Sequence, residues 1–558
     1  MTIDGRVLLN VMLPLGLALA LSGAPVRSTA LRWLAVGLLT ALTAWYAFWR
    51  VTETLPEFGW SPAILWPWLF FGFEAVALLY EAWCLFVLTG YSDRTPEADR
   101  YEAILRSRSD LPTVDVYIAT YNEPAEILDA TIVGALALDY PMNLLRVWVL
   151  DDSRRPWLKE LCERRGAGYL ARPTNEHGKA GNLNYAYPRT DGDFILCLDA
   201  DFVVEPRMLY RMLGFLVCNP KVGLVQTPQH FRNPDPIQHN LFGNSAWTEE
   251  SNYFMTVTQP CRDAHGNAFC VGTGFVVRRA ALATLGGFAQ GSLSEDLQLS
   301  YALLGQGYRT VFLNEELSLG LSPESVPEYV KQRVRWCQGT LQQAFLKTGP
   351  FLAPRLTLVQ RMFYAETILY WLTFPFLVLL LVAPIIQWYT GVPALHATSA
   401  DVLLVILPRV LARSIIMFWL SEGKVVPLVS TVGKVVPAFH LTAAMAKSLF
   451  NPFGSPFKVT TKGQSRDGVI IHWSLFGLFA GLAAILAIGM LGNLFGFYEV
   501  VALGEVTPLD VLWSLGSLMI LTLAAMVCVE LPPASEGKEV HRARLGATAM
   551  AVVRRLFA

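Results

Sequence analysis

Charge is scarce in this chain. Of its 558 residues only 16% are charged, against 53% hydrophobic, and the mean hydropathy is +0.39. That balance excludes an ordinary soluble protein, yet the remaining charge interrupts the chain too often for a bare membrane bundle. Cysteine is also sparse. The eight residues include no C-x-x-C pair, so neither a zinc site nor a disulfide framework is indicated, and reduced thiols suit the cytosol. A small-x-small cleavage site is lacking too: the first apolar run meets none before a soluble stretch, and a second apolar run follows at once, so the first is expected to be a retained anchor.

Long apolar runs are what the chain has instead. Three open it, near 7–22, 33–48 and 62–88, and four more lie near 367–386, 402–420, 469–494 and 508–529, each about long enough to span a bilayer. The reading is therefore a bundle of about seven spans with a soluble domain inserted in it. Three helices occupy 1–94, the domain 95–361, four helices 362–530 and a basic tail 531–558. The segment 424–450, broken by Lys434, Lys447 and two prolines, reads as a helix on the membrane surface, followed by a loop over 451–468. Basic residues in the short loops, Arg27 and Arg32 against a lone Arg50, together with the basic tail, place the domain and C-terminus in the cytosol and the N-terminus outside.

Within the domain, Val114–Ala119, Leu145–Leu150 and Phe194–Leu198 are short β-rich runs separated by helix-length segments, which argues for an α/β fold with a mainly parallel sheet. Ligands bind beyond the carboxyl ends of such strands. Those ends carry Thr120-Tyr-Asn-Glu123, Asp151-Asp152 and Asp199-Ala-Asp201. Each acid alone reads equally well as a cap or a turn former; three in one sheet favour a site. Residues i and i+2 of an extended segment share a side, so Asp199 and Asp201 can offer oxygens to one hard divalent cation, Mg or Mn, that neutralises a diphosphate leaving group.

His177-Gly-Lys-Ala-Gly-Asn-Leu-Asn184 is either an exposed turn or a loop in which Lys179 and the amides of Asn182 and Asn184 suit phosphate and ribose contacts. Ser294-Glu295-Asp296 supplies a carboxylate, with Asp296 as the base that deprotonates an acceptor hydroxyl and Glu295 beside it. Gln332 and Arg335 add donors for a diphosphate, and Trp336 offers a flat face for a sugar ring.

As a set, Asp151/Asp152, Asp199-Ala-Asp201, Ser294-Glu-Asp296 and Gln332-Arg-Val-Arg-Trp336 resemble the D, DxD, D, Q-x-x-R-W pattern of processive family 2 glycosyltransferases. Gln226–Pro236 resembles an acceptor-side stretch of bacterial cellulose synthases, and Phe457-Lys-Val459-Thr460-Thr-Lys462 their F-x-V-T-x-K gating loop. The resemblance implies a type A glycosyltransferase domain using UDP-glucose. It implies Tyr121 and Glu123, with Thr120, at the uridine, Asp152 and Lys179 near the nucleotide, Asp199 and Asp201 at the metal, and Ser294 and Trp336 at the acceptor. It also implies secretion of a growing glucan from the bacterial inner membrane, with accessory secretion subunits as partners and none of nucleic acid.

Departures are present as well. Ser294 stands where cellulose synthases usually carry Thr, Cys337-Gln-Gly-Thr340 follows Trp336 in place of Ala-Arg-Gly, only three spans precede the domain, and the stretch after Leu531 is too short for a PilZ barrel that binds cyclic di-GMP. These resemble curdlan synthase and tilt the expected product toward β-1,3-glucan. Cellulose (β-1,4-glucan), or a polymer of N-acetylglucosamine made by the same chemistry, remains the alternative. A transporter or receptor reading would use Arg409 and Arg413, inside an apolar run, as an ion or ligand site.

Overall fold

The computed structural model describes residues 8–243, 247–454, 468–498, 500–501 and 506–532. The gating-type residues Phe457, Val459, Thr460 and Lys462, and the basic tail, lie outside the described residues.

Seven strands form the central sheet: β1 (Val114–Thr120), β2 (Leu145–Asp151), β3 (Gly168–Ala171), β4 (Phe194–Asp199), β5 (Val222–Gln226), β6 (Phe275–Arg278) and β7 (Arg309–Phe312), in the order β3-β2-β1-β4-β6-β5-β7. The first four are mutually parallel. Alternation along each strand sends side chains to two cores. Val116, Ile118, Leu196 and Leu198 pack with Leu128 and Met212 on one face, while Tyr117, Ile195 and Cys197 pack with Leu183 and Leu299 on the other. Each such side chain contributes about 1.5–3 kcal/mol on burial, which explains why the strands are apolar on both faces. Parallel register brings Thr120 level with Asp151, and Ala119 level with Asp199, so the three polar strand ends share one edge. The strand β6 runs antiparallel to β4 and β5. Its reversal delivers the preceding loop, Phe269–Gly274, to that same edge.

Five helices carry or support the site: α1 (Gly178–Ala186), α2 (Glu295–Gly305), α3 (Val326–Gln342), α4 (Leu358–Leu372) and α5 (Pro427–Phe450). Pro at the first turn and the Ser325 side chain, which accepts from Glu328 N, start α3. Its apolar face, with Val326, Tyr329 and Val330, packs on Val432, Val435 and Val436 of α5, and the Tyr329 hydroxyl donates to Gly433 O at 3.1 Å.

Among the described residues seven helices are long and apolar enough to cross a membrane: Thr29–Thr54, Pro62–Val87, Leu358–Thr390, Ser399–Leu420, Pro427–Phe450, Trp473–Leu494 and Pro508–Val527. Two members differ from the set expected from sequence. Asn10–Ser22 is shorter, about 20 Å at 1.5 Å per residue. The helix α5, expected on the membrane surface, meets the length and composition of a span, and half of its most apolar window is buried because α3 and the helices Phe374–Thr390 and Pro508–Val527 lie against it. Leu358–Thr390 divides at Thr373 into α4 and a second helix, Phe374–Thr390.

Arg409 and Arg413, weighed as an ion or ligand site, are both paired with the Glu81 carboxylate, Arg413 at 2.7 Å, and Arg50 pairs with Glu74 at 2.8 Å. Three spans are thus joined by ion pairs, the arrangement that makes charge tolerable at that depth.

Candidate active site

The edge formed by β1 and β2 is organised by a hydrogen-bonded turn. Glu123 accepts from the Thr120 hydroxyl at 2.6 Å and from Tyr121 N at 2.8 Å, while Arg155 donates to Thr120 Oγ1 at 2.7 Å. This leaves Tyr121 37% exposed at the rim. Asp151 is wholly buried and accepts from Ser153 N, Arg155 N and the Tyr169 hydroxyl, so its carboxylate is consumed in shaping the turn.

Asp152 is also buried, and the guanidinium of Arg172 grips it through two nitrogens, one at 2.9 Å. Arg172 then donates to Gly178 O at 2.7 Å and to Glu176 O, drawing the loop before α1 onto the end of β2. Sequence reasoning missed Arg172, because nothing at its position in the chain distinguishes it from other arginines. That loop turns into α1 through His177 at φ +59° and the first helical residue, Gly178, at φ +50°.

From the first turn of α1, Lys179 bonds to the Asp199 carboxylate and donates to Gly272 O at 2.6 Å. Burial works against its charge, but Asp199 and Glu295 outweigh that and hold the ammonium above its ordinary range. The two amides expected at phosphate or ribose are not available for them. Asn182 donates to Leu150 O at 2.7 Å, and Asn184 exchanges two bonds with the Phe288 backbone. They fasten α1 to the sheet.

Asp199 and Asp201 differ in environment. The Asp199 side chain is 38% exposed beside Lys179, whereas Asp201 is buried and accepts from Leu321 N at 3.1 Å. Among the described residues no group of three or more His, Cys, Asp or Glu is arranged to hold a metal by itself. One or two carboxylates completed by phosphate oxygens and water is how a hard cation is bound at a diphosphate, so the donor set fits Mg or Mn in that role.

Across the edge stands Ser294-Glu295-Asp296, at the start of α2. Asp296 Oδ1 accepts from Leu297 N at 2.8 Å. Its other oxygen faces Gly272, where a Cβ would stand 3.0 Å away, at φ +96°. Glycine is required there by both space and conformation. Burial, then the negative charge of Asp296, pushes Glu295 up to about 7 against the pull of Lys179 and Arg335. Asp296 is raised as well, chiefly by burial, with the Leu297 N–H and Lys179 opposing. A carboxylate raised by burial in this way is a stronger base than one at the surface.

Arg335 on α3 is near enough for its charge to act on Glu295. Gln332 accepts from Arg333 at 3.1 Å, and Arg333 lies over the rings of Tyr329 and Trp336. Cys337 is wholly buried among Leu341, Ile368 and Trp371. Ser294 is 8% exposed, pressed against Gly339, where a Cβ would come within 2.6 Å of Ser294 N. The structure therefore brings together Thr120, Tyr121, Glu123, Asp152, Lys179, Asp199, Glu295, Asp296 and Arg335 along one rim. The Phe269–Gly274 loop is the second feature sequence reasoning underused. Thr273 Oγ1 accepts from Asp199 N at 2.9 Å, and Gln226 accepts from Val271 N at 3.0 Å and donates to Thr273 O at 2.7 Å.

Comparison with known proteins agrees with this architecture. The model for glycosyl transferase family group 2 matches residues 194–420. The chain is 32% identical over 528 residues to the UDP-forming cellulose synthase catalytic subunit of Pseudomonas fluorescens (strain SBW25), covering 94% of this chain and 69% of that protein. The chain belongs to the cellulose synthase family. A second member, the cellulose synthase 1 catalytic subunit of Komagataeibacter xylinus, is 32% identical over 487 residues, covering 85% of this chain and 63% of that one. Against the longer cellulose synthase 1 of the same species the identity is 33% over 86% of this chain but only 31% of the relative. This cellulose synthase family member thus spans a third to two thirds of the length of its curated relatives. Among solved structures, a mannosyltransferase from Pyrobaculum calidifontis with GDP-mannose and Mn2+ is similar at 19% identity and a TM-score of 0.42, over 68% of this chain and 99% of that one. The family is one of glycosyltransferases, and this chain combines an α/β domain with seven helices, among the described residues, that are long and apolar enough to cross a membrane.

Proposed function

We propose that this enzyme polymerises glucose from UDP-glucose into β-1,4-glucan at the cytosolic face of a bacterial inner membrane and passes the chain out between its own helices. The observation that carries the proposal is the facing of Asp296, across Gly272, to the Lys179–Asp199 pair. Asp296 takes the proton of the acceptor hydroxyl, whose oxygen attacks the anomeric carbon as the bond to UDP breaks. Attack from the side opposite the leaving group inverts the α-linked donor to a β-linked product.

Lys179 and Arg335 stabilise negative charge on the departing diphosphate. Mg or Mn held by Asp199 and Asp201 would neutralise the same charge. Tyr121, at the rim, receives the uridine, Gln332 holds the diphosphate, and Trp336 stacks on the terminal sugar. Phe457, Val459, Thr460 and Lys462 close over the nucleotide.

Two findings move the linkage from the β-1,3 expectation to β-1,4. The relatives matching 85–94% of the chain at 32% identity are named cellulose synthases. Two of the departures that suggested curdlan, Ser294 and Cys337, are buried in packing contacts, so they do not support a changed acceptor position.

The role of the base is tested by Asp296→Asn, which keeps shape and hydrogen bonding to Leu297. Synthesis is expected to fall by about 10²–10⁴-fold while UDP still binds. Near-normal synthesis by that variant rules the assignment out.

A further inference from the structure

Two adjacent glutamines, Gln342 and Gln343, both reach the loop that leads into Ser294-Glu295-Asp296. They lie where α3 ends and tightens into a 3-10 turn over Gln343–Phe345. Both side chains are buried, Gln343 completely. Gln343 donates to Ser294 O at 3.1 Å and to Gly339 O at 3.3 Å, and accepts from the Tyr364 hydroxyl of α4 at 2.6 Å. Gln342 accepts from Leu293 N at 2.8 Å and donates to Pro452 O at 2.9 Å, at the root of the segment 451–468.

Capping the end of α3 needs only the bond to Gly339. The remaining bonds leave the helix and join three separate parts of the chain. A second contact runs parallel to them: Tyr301 of α2 stacks on Tyr364 with ring centroids 3.8 Å apart and 4° between planes. Arg262, itself buried, donates to the Tyr301 hydroxyl at 2.8 Å, to Phe363 O at 2.8 Å, and to Glu366 of α4. The helix bearing Asp296 is thus tied to α4 both at its first turn and along its length.

We propose that Gln342 and Gln343 are positioning residues for the transfer step. Their amides fix the Leu293–Ser294 backbone, and so Asp296 two residues on, in register with α4 on one side and with Pro452 on the other. Neither glutamine touches the reacting atoms. The inference rests on Asp296 acting as the base. An amide has one acceptor and one donor end, so a glutamine at each position can join a backbone group of the loop to a partner outside it, which an apolar side chain of equal volume cannot. An unmatched backbone carbonyl or N–H at the loop would let the first turn of α2 shift, and small displacements of a reacting group cost rate steeply.

The test uses the full-length protein in lipid vesicles with UDP-glucose. The rate of UDP release at saturating donor is expressed per UDP-binding site, counted by calorimetric titration with UDP, so that unfolded protein does not enter. Gln342→Met and Gln343→Met are each expected to lower that rate about ten-fold, with donor KM and UDP affinity within about two-fold of the parent. Tyr364→Phe should lower it less and add nothing in the Gln343→Met background, because its hydroxyl acts through Gln343. Parent-like rates per site in both glutamine variants overturn the proposal. So does a loss of UDP affinity that accounts for the whole effect, or full additivity of the Gln343 and Tyr364 changes. Asp296→Asn, run in parallel, separates the two ideas: an active Asp296→Asn enzyme removes the base, whereas an inactive one beside normal glutamine variants removes only the positioning role.

Discussion

Gly272→Ala is the most demanding single substitution for this account of the site. An alanine Cβ would lie 3.0 Å from Asp296 Oδ2 and 3.8 Å from its Cγ, so the carboxylate must give way by a few tenths of an ångström. The backbone at φ +96° adds strain of about 1–3 kcal/mol for any residue with a Cβ. Because Gly272 O also accepts from Lys179, relaxing that strain moves the cation and the base together. Misplacement by 1 Å can cost about 100-fold, so a shift of a few tenths should cost about ten-fold in rate per UDP site. Gly286→Ala is the control, since Gly286 has φ +77° but no atom within 4 Å of a new Cβ. It should share the loss of thermal stability and keep its rate. Equal rates in the two variants would refute the claim that Asp296 needs the space above Gly272.

Protonation of the acid pair should limit synthesis on the acid side. Asp296 works as a base only when deprotonated, and burial raises it, so the rate should fall on the acid side at a pH above the range of an ordinary surface aspartate. Asp296→Asn removes a negative charge that raises Glu295 and should move the titration of the Glu295 carboxyl below about 7, read by infrared difference spectroscopy; an unmoved titration counts against the pairing. Chelation by EDTA should abolish synthesis, and Mg or Mn should restore it, since Asp199 offers an exposed carboxylate for the cation bound with the diphosphate. Full activity in EDTA would remove the metal role from Asp199 and Asp201.

Much of the catalytic edge was readable from the chain because its residues follow strands whose apolar runs are short and bounded. Thr120, Asp151 and Asp199 each end such a run, and parallel register then aligns them. What could not be read were partnerships made across long separations. Arg172 meets Asp152 through the pairing of β2 with β3, and Gln226 holds Thr273 across 47 residues. A glutamine or arginine of this kind has no local pattern, since its role comes from the backbone group it happens to reach. Asn182 and Asn184 show the converse: their place in a glycine-rich loop suggested phosphate contacts, but backbone carbonyls at Leu150 and Phe288 take them first. The segment Pro427–Phe450 was read from its lysines and prolines as lying on the membrane. Its burial comes from α3 and from the helices Phe374–Thr390 and Pro508–Val527, which no periodicity within the segment reveals. Family membership, in turn, favours the cellulose reading over the β-1,3 expectation, and Cys337, next to Trp336, is spent in packing among Leu341, Ile368 and Trp371.

The central claim is that this chain makes β-1,4-glucan from UDP-glucose, and the most direct test is the linkage of its product. Vesicles containing the purified protein are supplied with radiolabelled UDP-glucose, and the insoluble polymer is digested separately with a cellulase and a β-1,3-glucanase. The account predicts a polymer that the cellulase solubilises and the β-1,3-glucanase leaves intact. The reverse pattern, or polymer formed from UDP-N-acetylglucosamine but not from UDP-glucose, would contradict it.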